Sequence, residues 1–214
     1  MAQLVLYGTP GWGSAIVEAQ LVWYGLPYEF RTVGDVFEDA AAREALARIN
    51  PLAQMPTLLL EDGAVMTESA AITLLLADRT GSADLVPKGD APERAAFLRW
   101  IVYIVANIYP TYTYVDDPSR FVDMESARDG YAEKVRAHAK RLYSVLNDAA
   151  ASDETFLPGR FSAIDIYIAV MTHWRPRGAW FSANTPKLWS IAAHTQRLQK
   201  FGDVWARNFP QGAG

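Results

Sequence analysis

Apolar and polar positions follow two different patterns along the chain. Up to residue 80, short apolar runs that end in turn residues alternate with stretches in which apolar positions recur every three or four residues. These patterns predict strands at residues 3–7, 28–33, 57–60 and 64–66 and helices that begin at Ser14, Glu38 and Glu68. The order of these elements indicates parallel strands joined by helical crossovers, with an antiparallel edge.

Beyond residue 80 the pattern becomes helical. Residues 81–92 are rich in Gly, Pro and Asp, which predicts a linker. Four long helices are predicted after it, at residues 93–109, 124–150, 162–174 and 187–201. Ser162 and Asp165 have the spacing of a reciprocal helix cap, for which we predict a folding role. We therefore expect an α/β domain at residues 1–80 and an all-α domain at residues 93–214.

Composition and charge exclude several classes of function. The net charge is −4 and the basic residues are dispersed, so we expect no nucleic-acid partner. The chain has no apolar run near the roughly 18 residues of a membrane-spanning helix and no signal-peptide pattern, which predicts a cytoplasmic protein with no membrane partner. It contains no cysteine, which excludes disulfides and thiolate metal sites. His138 and His194 have no metal-type partner at i+4, and no metal is expected.

Two motifs that could form a binding site follow one another in the α/β part. Pro56 stands one residue before an apolar strand, where a residue without a backbone N–H is tolerated. Shortly afterwards, Glu68 and Ser69 open an apolar helical run. A helix N-terminus suits a carboxylate and the Glu68 side chain suits an ammonium group. The alternative is that Thr67 or Ser69 only caps the helix.

These motifs, at this spacing, resemble the glutathione site of the glutathione S-transferase family, and the resemblance extends over nearly the whole chain. It implies a thioredoxin-like N-terminal domain, an all-α C-terminal domain, a homodimer, and glutathione as co-substrate in the detoxification of a small hydrophobic electrophile. It also implies a cis bond before Pro56. The residues expected to bind glutathione are Gln54, Met55, Pro56, Glu68 and Ser69.

The resemblance leaves the catalytic residue open. Members of the family activate the thiol with a hydroxyl or a cysteine near the end of the first strand or the start of the first helix. Tyr7 and Ser14 are the two candidates, and Thr9 is a third. The alternatives are that Tyr7 is an ordinary strand residue and that Ser14 caps the helix. The positions that hold serine or cysteine in other classes correspond to Gly11 and Gly13 here.

The second substrate is expected between the two domains. Trp12 would form a wall of its pocket, and Tyr103 and Asn107 lie on one helical face at i and i+4. The alternative is that these aromatic residues belong to a core.

Because the chain has no cysteine, disulfide reduction through a protein thiolate is excluded. Addition or substitution by glutathione remains the expected reaction. The alternatives are peroxide reduction by glutathione, binding without turnover, and a protein-interaction module on the same fold. Retention on immobilised glutathione separates the last of these from the others.

Overall fold

A computed structural model describes residues 3–210, which group into two compact units. The first unit contains the residues up to Val86 together with those from Ala193 onward, and the second contains Pro87–Ala192. The sequence assigned all of residues 93–214 to the helical domain, whereas the contacts group the C-terminal segment with the α/β part. The domain boundaries themselves stay a prediction.

The first unit contains a four-stranded mixed sheet. Its elements are β1 (Leu4–Gly8), α1 (Ser14–Tyr24), β2 (Tyr28–Thr32), α2 (Ala40–Ala47), β3 (Thr57–Leu59), β4 (Val65–Met66) and α3 (Ser69–Thr80). The strand order is β2-β1-β3-β4, with β1 and β2 parallel and the other two pairs antiparallel. The predicted thioredoxin-like pattern is confirmed.

One face of the sheet carries the core of this unit. Leu4 and Leu6 of β1 pack with buried residues of the neighbouring strand and helices, namely Leu58, Val17, Leu21, Ile72 and Leu76. Because side chains alternate across a strand, Gly8 lies on this same face and Tyr7 on the opposite one. A Cβ on Gly8 would lie 2.3 Å from the Cβ of Ser14, so this strand end accepts only glycine.

The second unit is all helical, as predicted. Its helices are α4 (Arg94–Tyr103), α5 (Tyr109–Asp116), α6 (Glu125–Ala149), α7 (Ala163–Met171), α8 (Gly178–Asn184) and most of α9 (Pro186–Gln196). The chain then continues through a 3₁₀ turn, Gln199–Phe201, into α10 (Gly202–Asn208). Within residues 3–210 no helix has the length and hydrophobicity of a membrane-spanning segment.

The helix predicted at residues 93–109 differs from the observed one. A π-helical turn, Ile104–Ile108, follows α4, and the Tyr109 N–H donates to the carbonyl of Ile104. Pro110 follows directly; it has no N–H to continue the i→i−4 ladder, and π turns occur where this ladder is interrupted. The predicted helix at 187–201 likewise ends earlier, and the short helices α8 and α10 were not predicted.

The predicted reciprocal cap at the start of α7 is confirmed. The Asp165 carboxylate accepts the N–H groups of Phe156 and Ser162, both at 2.7 Å, and the Ser162 hydroxyl at 3.0 Å. Both Ser162 and Asp165 are fully buried. Burial raises the pKa of Asp165 to about 6.

We expect Asp165→Ala to lower the free energy of unfolding at pH 7 by about 2–4 kcal/mol, because two buried N–H groups lose their acceptor.

The pKa of Asp165 is higher in the folded than in the unfolded state, so its protonation stabilises the fold below pH 6. The cost of the substitution should therefore grow as the pH falls from 7 to 5. Urea unfolding measures both effects. The exposed Asp148→Ala is the control, and an equal loss in the two variants would contradict the capping role.

Candidate active site

The segment before β3 is held by a buried asparagine. The Asn50 amide donates to the carbonyl of Gln54 and to the hydroxyl of Thr57, both at 3.0 Å. Thr57 in turn donates to the same Gln54 carbonyl at 2.8 Å, while the Gln54 side chain is exposed. The bond between Met55 and Pro56 is cis, as the resemblance implied. Sequence reasoning did not single out Asn50, although its position directly before Pro51 and close to the motif could have been a signal.

Met55 presents an unpaired stretch of backbone. Its N–H and C=O have no hydrogen-bond partner within residues 3–210. Its thioether sulfur accepts the Thr9 hydroxyl at 3.4 Å, which ties the side chain to the loop before α1. An N–H and a C=O of one residue, both unpaired, are what an extended peptide uses for strand-like pairing.

Helix α3 begins at Ser69, and Glu68 occupies its N-cap position with φ 61° and ψ 102°. Within residues 3–210 no side chain caps this helix, so the interpretation of Thr67 or Ser69 as a cap is wrong. Ser69 is buried and the Glu68 side chain is exposed. A positive φ at a non-glycine residue costs on the order of 1–3 kcal/mol and is typical of functional sites. The open helix N-terminus offers N–H groups to an anion beside the Glu68 carboxylate.

The loop between β1 and α1 is fixed at several points. The Thr9 hydroxyl donates to the Gly34 carbonyl at 2.6 Å, and the Trp12 N–H donates to the Thr9 carbonyl at 3.1 Å. Gly11 has φ 81°, a conformation that favours glycine. A Cβ on Gly13 would lie 3.3 Å from the carbonyl oxygen of Met55, so the loop packs closely against the Met55 backbone.

Ser14 is buried at the first position of α1. Its hydroxyl donates to the carbonyl of Thr9 at 3.1 Å, and its side chain is fully inaccessible to solvent. Gly13 occupies the N-cap position, so the interpretation of Ser14 as the N-cap is wrong. In the described part of the chain, the N–H groups of Gly13 and Ser14 have no acceptor. The start of α1 therefore offers backbone donors next to Met55.

Tyr7 and Ser14 are not brought together. Tyr7 lies on the opposite face of the sheet, where its hydroxyl oxygen accepts a hydrogen bond from Arg31 at 2.9 Å. Arg31 also pairs with Glu29 at 2.6 Å, and both of these side chains are a little under half exposed. Because the Tyr7 oxygen is the acceptor, its own hydrogen is still available for donation.

The residues predicted for the second substrate have identifiable contacts within each unit. Trp12 packs against Phe37 with ring centroids 5.5 Å apart, and this pair is partly exposed. The Tyr103 hydroxyl donates to the carbonyl of Leu142 at 3.1 Å, and Asn107 donates to the carbonyl of Tyr103 at 3.2 Å. Burial raises the pKa of Tyr103, which keeps its hydroxyl protonated. Their role toward a second substrate stays a prediction.

A buried carboxylate that sequence reasoning missed lies on α1. Glu18 is 1% exposed and accepts hydrogen bonds from Tyr28 at 2.9 Å, from Asn208 at 2.7 Å and from Arg207. Burial and the neighbouring Glu18 carboxylate raise the pKa of Tyr28 to about 12, so this phenol remains a donor at neutral pH. The available signal was one acidic residue within an otherwise apolar helix. Among residues 3–210, no three His, Asp or Glu side chains are grouped as a metal site.

The same order of elements and motifs occurs in known proteins. A family model described as the N-terminal domain of glutathione S-transferase matches residues 16–79. The uncharacterized GST-like protein YncG of Escherichia coli strain K12 is 37% identical over 203 residues, which are 95% of this chain and 97% of that protein. The chain belongs to the glutathione S-transferase family.

Two further proteins have lower sequence identity to this chain. Glutathione S-transferase GST-4.5 of Xanthomonas campestris pv. campestris is 28% identical over 204 residues, which cover 94% of this chain and 95% of that protein. A crystal structure of a glutathione transferase homolog from Sulfitobacter, with bound glutathione, has a TM-score of 0.84 at 24% identity. That match covers 95% of this chain and 97% of the other, and it shows that the two share a fold.

We expect Glu68→Gly to be more stable than Glu68→Ala by about 1 kcal/mol, because glycine adopts a positive φ without the Cβ penalty. Both variants lose the carboxylate, so the difference between their free energies of unfolding measures the backbone strain at residue 68. Urea unfolding measures it. At Glu44, inside α2, the same two substitutions should show the reverse order, with glycine less stable by about 0.5–1 kcal/mol. The reverse order at residue 68 as well would contradict backbone strain there.

Proposed function

We propose that this family member is a glutathione transferase that binds glutathione along Met55 and at the start of α3, and uses its thiol to attack a small hydrophobic electrophile. The observation that carries the proposal is the unpaired N–H and C=O of Met55, on the side of the loop that precedes α1. These atoms would pair with the central residue of the tripeptide. The Glu68 carboxylate would bind the γ-glutamyl ammonium group, and the N–H groups that begin with Ser69 would bind its carboxylate.

The flanking residues support an extended tripeptide at this position. Asn50 and Thr57 hold the Gln54 carbonyl inward, which leaves the Gln54 side chain exposed for contact with glutathione. Pro56 is buried and fixes the direction in which Met55 presents its backbone. The bound glutathione in the Sulfitobacter homolog is consistent with the assignment.

For the thiol, we propose that the N–H groups of Gly13 and Ser14 stabilise the thiolate at the start of α1. Hydrogen bonds to the anion and the positive end of a helix both favour thiolate over thiol. The Ser14 hydroxyl is already donated to Thr9 and buried, which disfavours it as the activator. Tyr7 keeps a hydrogen to donate and is the remaining side-chain candidate.

A second candidate function is glutathione binding without turnover. It is favoured by one observation: the Ser14 hydroxyl is buried and donated to Thr9, and Tyr7 lies on the face of the sheet opposite Gly8, with its oxygen bonded to Arg31. Retention on immobilised glutathione with no turnover of a chlorinated nitrobenzene or of a peroxide would identify a binder. Turnover of the peroxide alone would identify the cysteine-independent peroxidase.

The finer assignments rest on the family. We propose that the electrophile contacts Trp12, Tyr103 and Asn107; the partly exposed pair of Trp12 and Phe37 offers a flat apolar surface to it. We also propose that the chain forms a homodimer, as the resemblance implies.

Replacing Glu68 by Ala should weaken glutathione binding by about 1.5–3 kcal/mol, the range for a hydrogen bond to a charged group. Isothermal titration calorimetry measures the change. Glu44→Ala is the matched control; it removes an exposed carboxylate whose partner is Arg48, and it should leave the affinity unchanged. Unchanged affinity in Glu68→Ala would overturn the assignment of the γ-glutamyl group.

The thiolate assignment predicts small effects from both hydroxyl deletions. Ser14→Ala should cost about 0.5–1.5 kcal/mol of stability, the value of one hydrogen bond, and Tyr7→Phe should leave the pH dependence of kcat/KM in place. The measurements are pH–rate profiles and thermal melts of both variants. A loss of about 10²–10³-fold in Tyr7→Phe, together with a higher apparent pKa of the thiol, would make Tyr7 the donor instead.

A further inference from the structure

The last helix reaches the loop that precedes α1 through one side chain. The Asn208 carboxamide is 5% exposed, and its oxygen accepts the Gly11 N–H at 3.1 Å. Its NH₂ group donates to the Glu18 carboxylate at 2.7 Å and to the carbonyl of Val204 at 2.9 Å. The contact with Gly11 connects residues that are 197 positions apart in the sequence.

The partners of Asn208 allow only one orientation of its amide. The Glu18 carboxylate and the Val204 carbonyl are acceptors only, and the Gly11 N–H is a donor only. Rotation of the amide by half a turn would bring NH₂ against N–H on one side and oxygen against oxygen on the other. The position of the oxygen that holds Gly11 is therefore fixed by Glu18.

Glu18 is itself held in place. The Tyr28 hydroxyl and the Arg207 guanidinium both donate to it, and its side chain is buried. A buried carboxylate with three donors has little freedom to rotate. A continuous set of hydrogen bonds thus leads from Tyr28 and Arg207 through Glu18 and Asn208 to Gly11.

The loop is confined on both sides. A Cβ on Gly11 would lie 3.2 Å from the backbone oxygen of Asn208, and a Cβ on Gly13 would lie 3.3 Å from the carbonyl oxygen of Met55. Neither position therefore has room for a side chain without a shift of its neighbour. Gly11 and Gly13 are separated only by Trp12, whose N–H donates to the Thr9 carbonyl, so a displacement of Gly11 would pass along the backbone to Gly13 and Ser14. Their N–H groups are the donors assigned to the thiolate above.

We infer that Asn208 is a positioning residue for the thiol site: its amide, oriented by Glu18, fixes Gly11 and thereby aims the N–H groups at the start of α1. The inference rests on the proposed function. Asn208 would not touch glutathione, so its loss should change the chemistry more than the affinity.

Asn208→Ala should lower kcat/KM on the order of 10–100-fold, as expected when reacting groups are displaced by a fraction of an ångström to one ångström. The pKa of the bound glutathione thiol, followed by ultraviolet absorbance of the thiolate, should rise. Glutathione affinity by calorimetry should stay within about 3-fold, because the contacts of Met55 and Glu68 remain. In the free protein, amide hydrogen exchange at Gly11 should become faster.

Val204→Ala is the matched control, because Val204 is a buried residue of the same helix that takes part in the hydrogen bonds of Asn208 only through its backbone carbonyl, which the substitution keeps. It should lower the melting temperature while leaving the thiol pKa and the Gly11 exchange rate unchanged. The same kinetic loss in Val204→Ala and Asn208→Ala would reduce Asn208 to a packing role and overturn the inference.

Glu18→Gln tests the orientation of the amide. It leaves a single side-chain oxygen for the three donors Tyr28, Arg207 and Asn208. The Asn208 amide then loses the acceptor that fixes its orientation, so the pKa of the bound thiol and the exchange rate at Gly11 should change in the same direction as in Asn208→Ala. An unchanged thiol pKa and Gly11 exchange rate in Glu18→Gln would overturn the orienting role of Glu18.

Two failures can be told apart. A wild-type protein that binds no glutathione in calorimetry would overturn the proposed function and, with it, the role of Asn208 in catalysis. A wild-type protein that binds and turns over glutathione, with an unchanged thiol pKa in Asn208→Ala, would overturn only the role of Asn208.

Discussion

The buried carboxylate of Glu18 is the constraint on which the first unit depends. Removing a carboxylate from water costs several kcal/mol unless its oxygens are hydrogen-bonded. Helix α1 cannot supply donors to its own side chain at this position, so they come from β2 and α10. Tyr28, Arg207 and Asn208 together satisfy Glu18. This requirement gives a physical reason why the chain from Ala193 onward groups with the α/β part.

Three glycines adapt the loop before α1 to this arrangement. Gly8 leaves room for Ser14. Gly11 adopts a positive φ and lies close to the Asn208 backbone, and Gly13 lies close to the Met55 carbonyl. By the resemblance described above, Gly11 and Gly13 correspond to positions at which other classes of the family carry serine or cysteine. The close contact at Gly13 explains why a reactive side chain would not fit there without moving the loop. The proposed use of the Gly13 and Ser14 N–H groups for the thiolate needs no side-chain donor in this loop, which is how we account for the departure from the family pattern.

Local sequence patterns predicted the elements and the motifs but not the contacts between distant residues. The strands of the sheet and the cap formed by Ser162 and Asp165 depend on neighbours within a few positions, and they were predicted correctly. The pair of Glu18 and Asn208 is separated by 190 positions, and no local pattern encodes it. The burial of Ser14 was not predicted either; it depends on the missing Cβ of Gly8, which a helical or strand period does not reveal. Short helices such as α8 and α10 were missed because seven residues are too few for a clear helical period.

The proposed binding site combines features that are unfavourable in the free protein. Glu68 has a positive φ, α3 lacks a cap, and Met55 has an unpaired peptide N–H and C=O. The first two could be removed by a common substitution, such as glycine at residue 68 or a capping side chain before α3. These groups are therefore already ordered in the folded protein before a ligand binds. A ligand that satisfies them binds without rearranging them. The buried pairs of Asn50 with Thr57 and of Glu18 with Asn208 supply the rigidity that keeps the groups in place. A site of this kind favours an extended, zwitterionic peptide over a simple anion, because only the peptide satisfies the helix N-terminus, the carboxylate and the unpaired backbone at the same time.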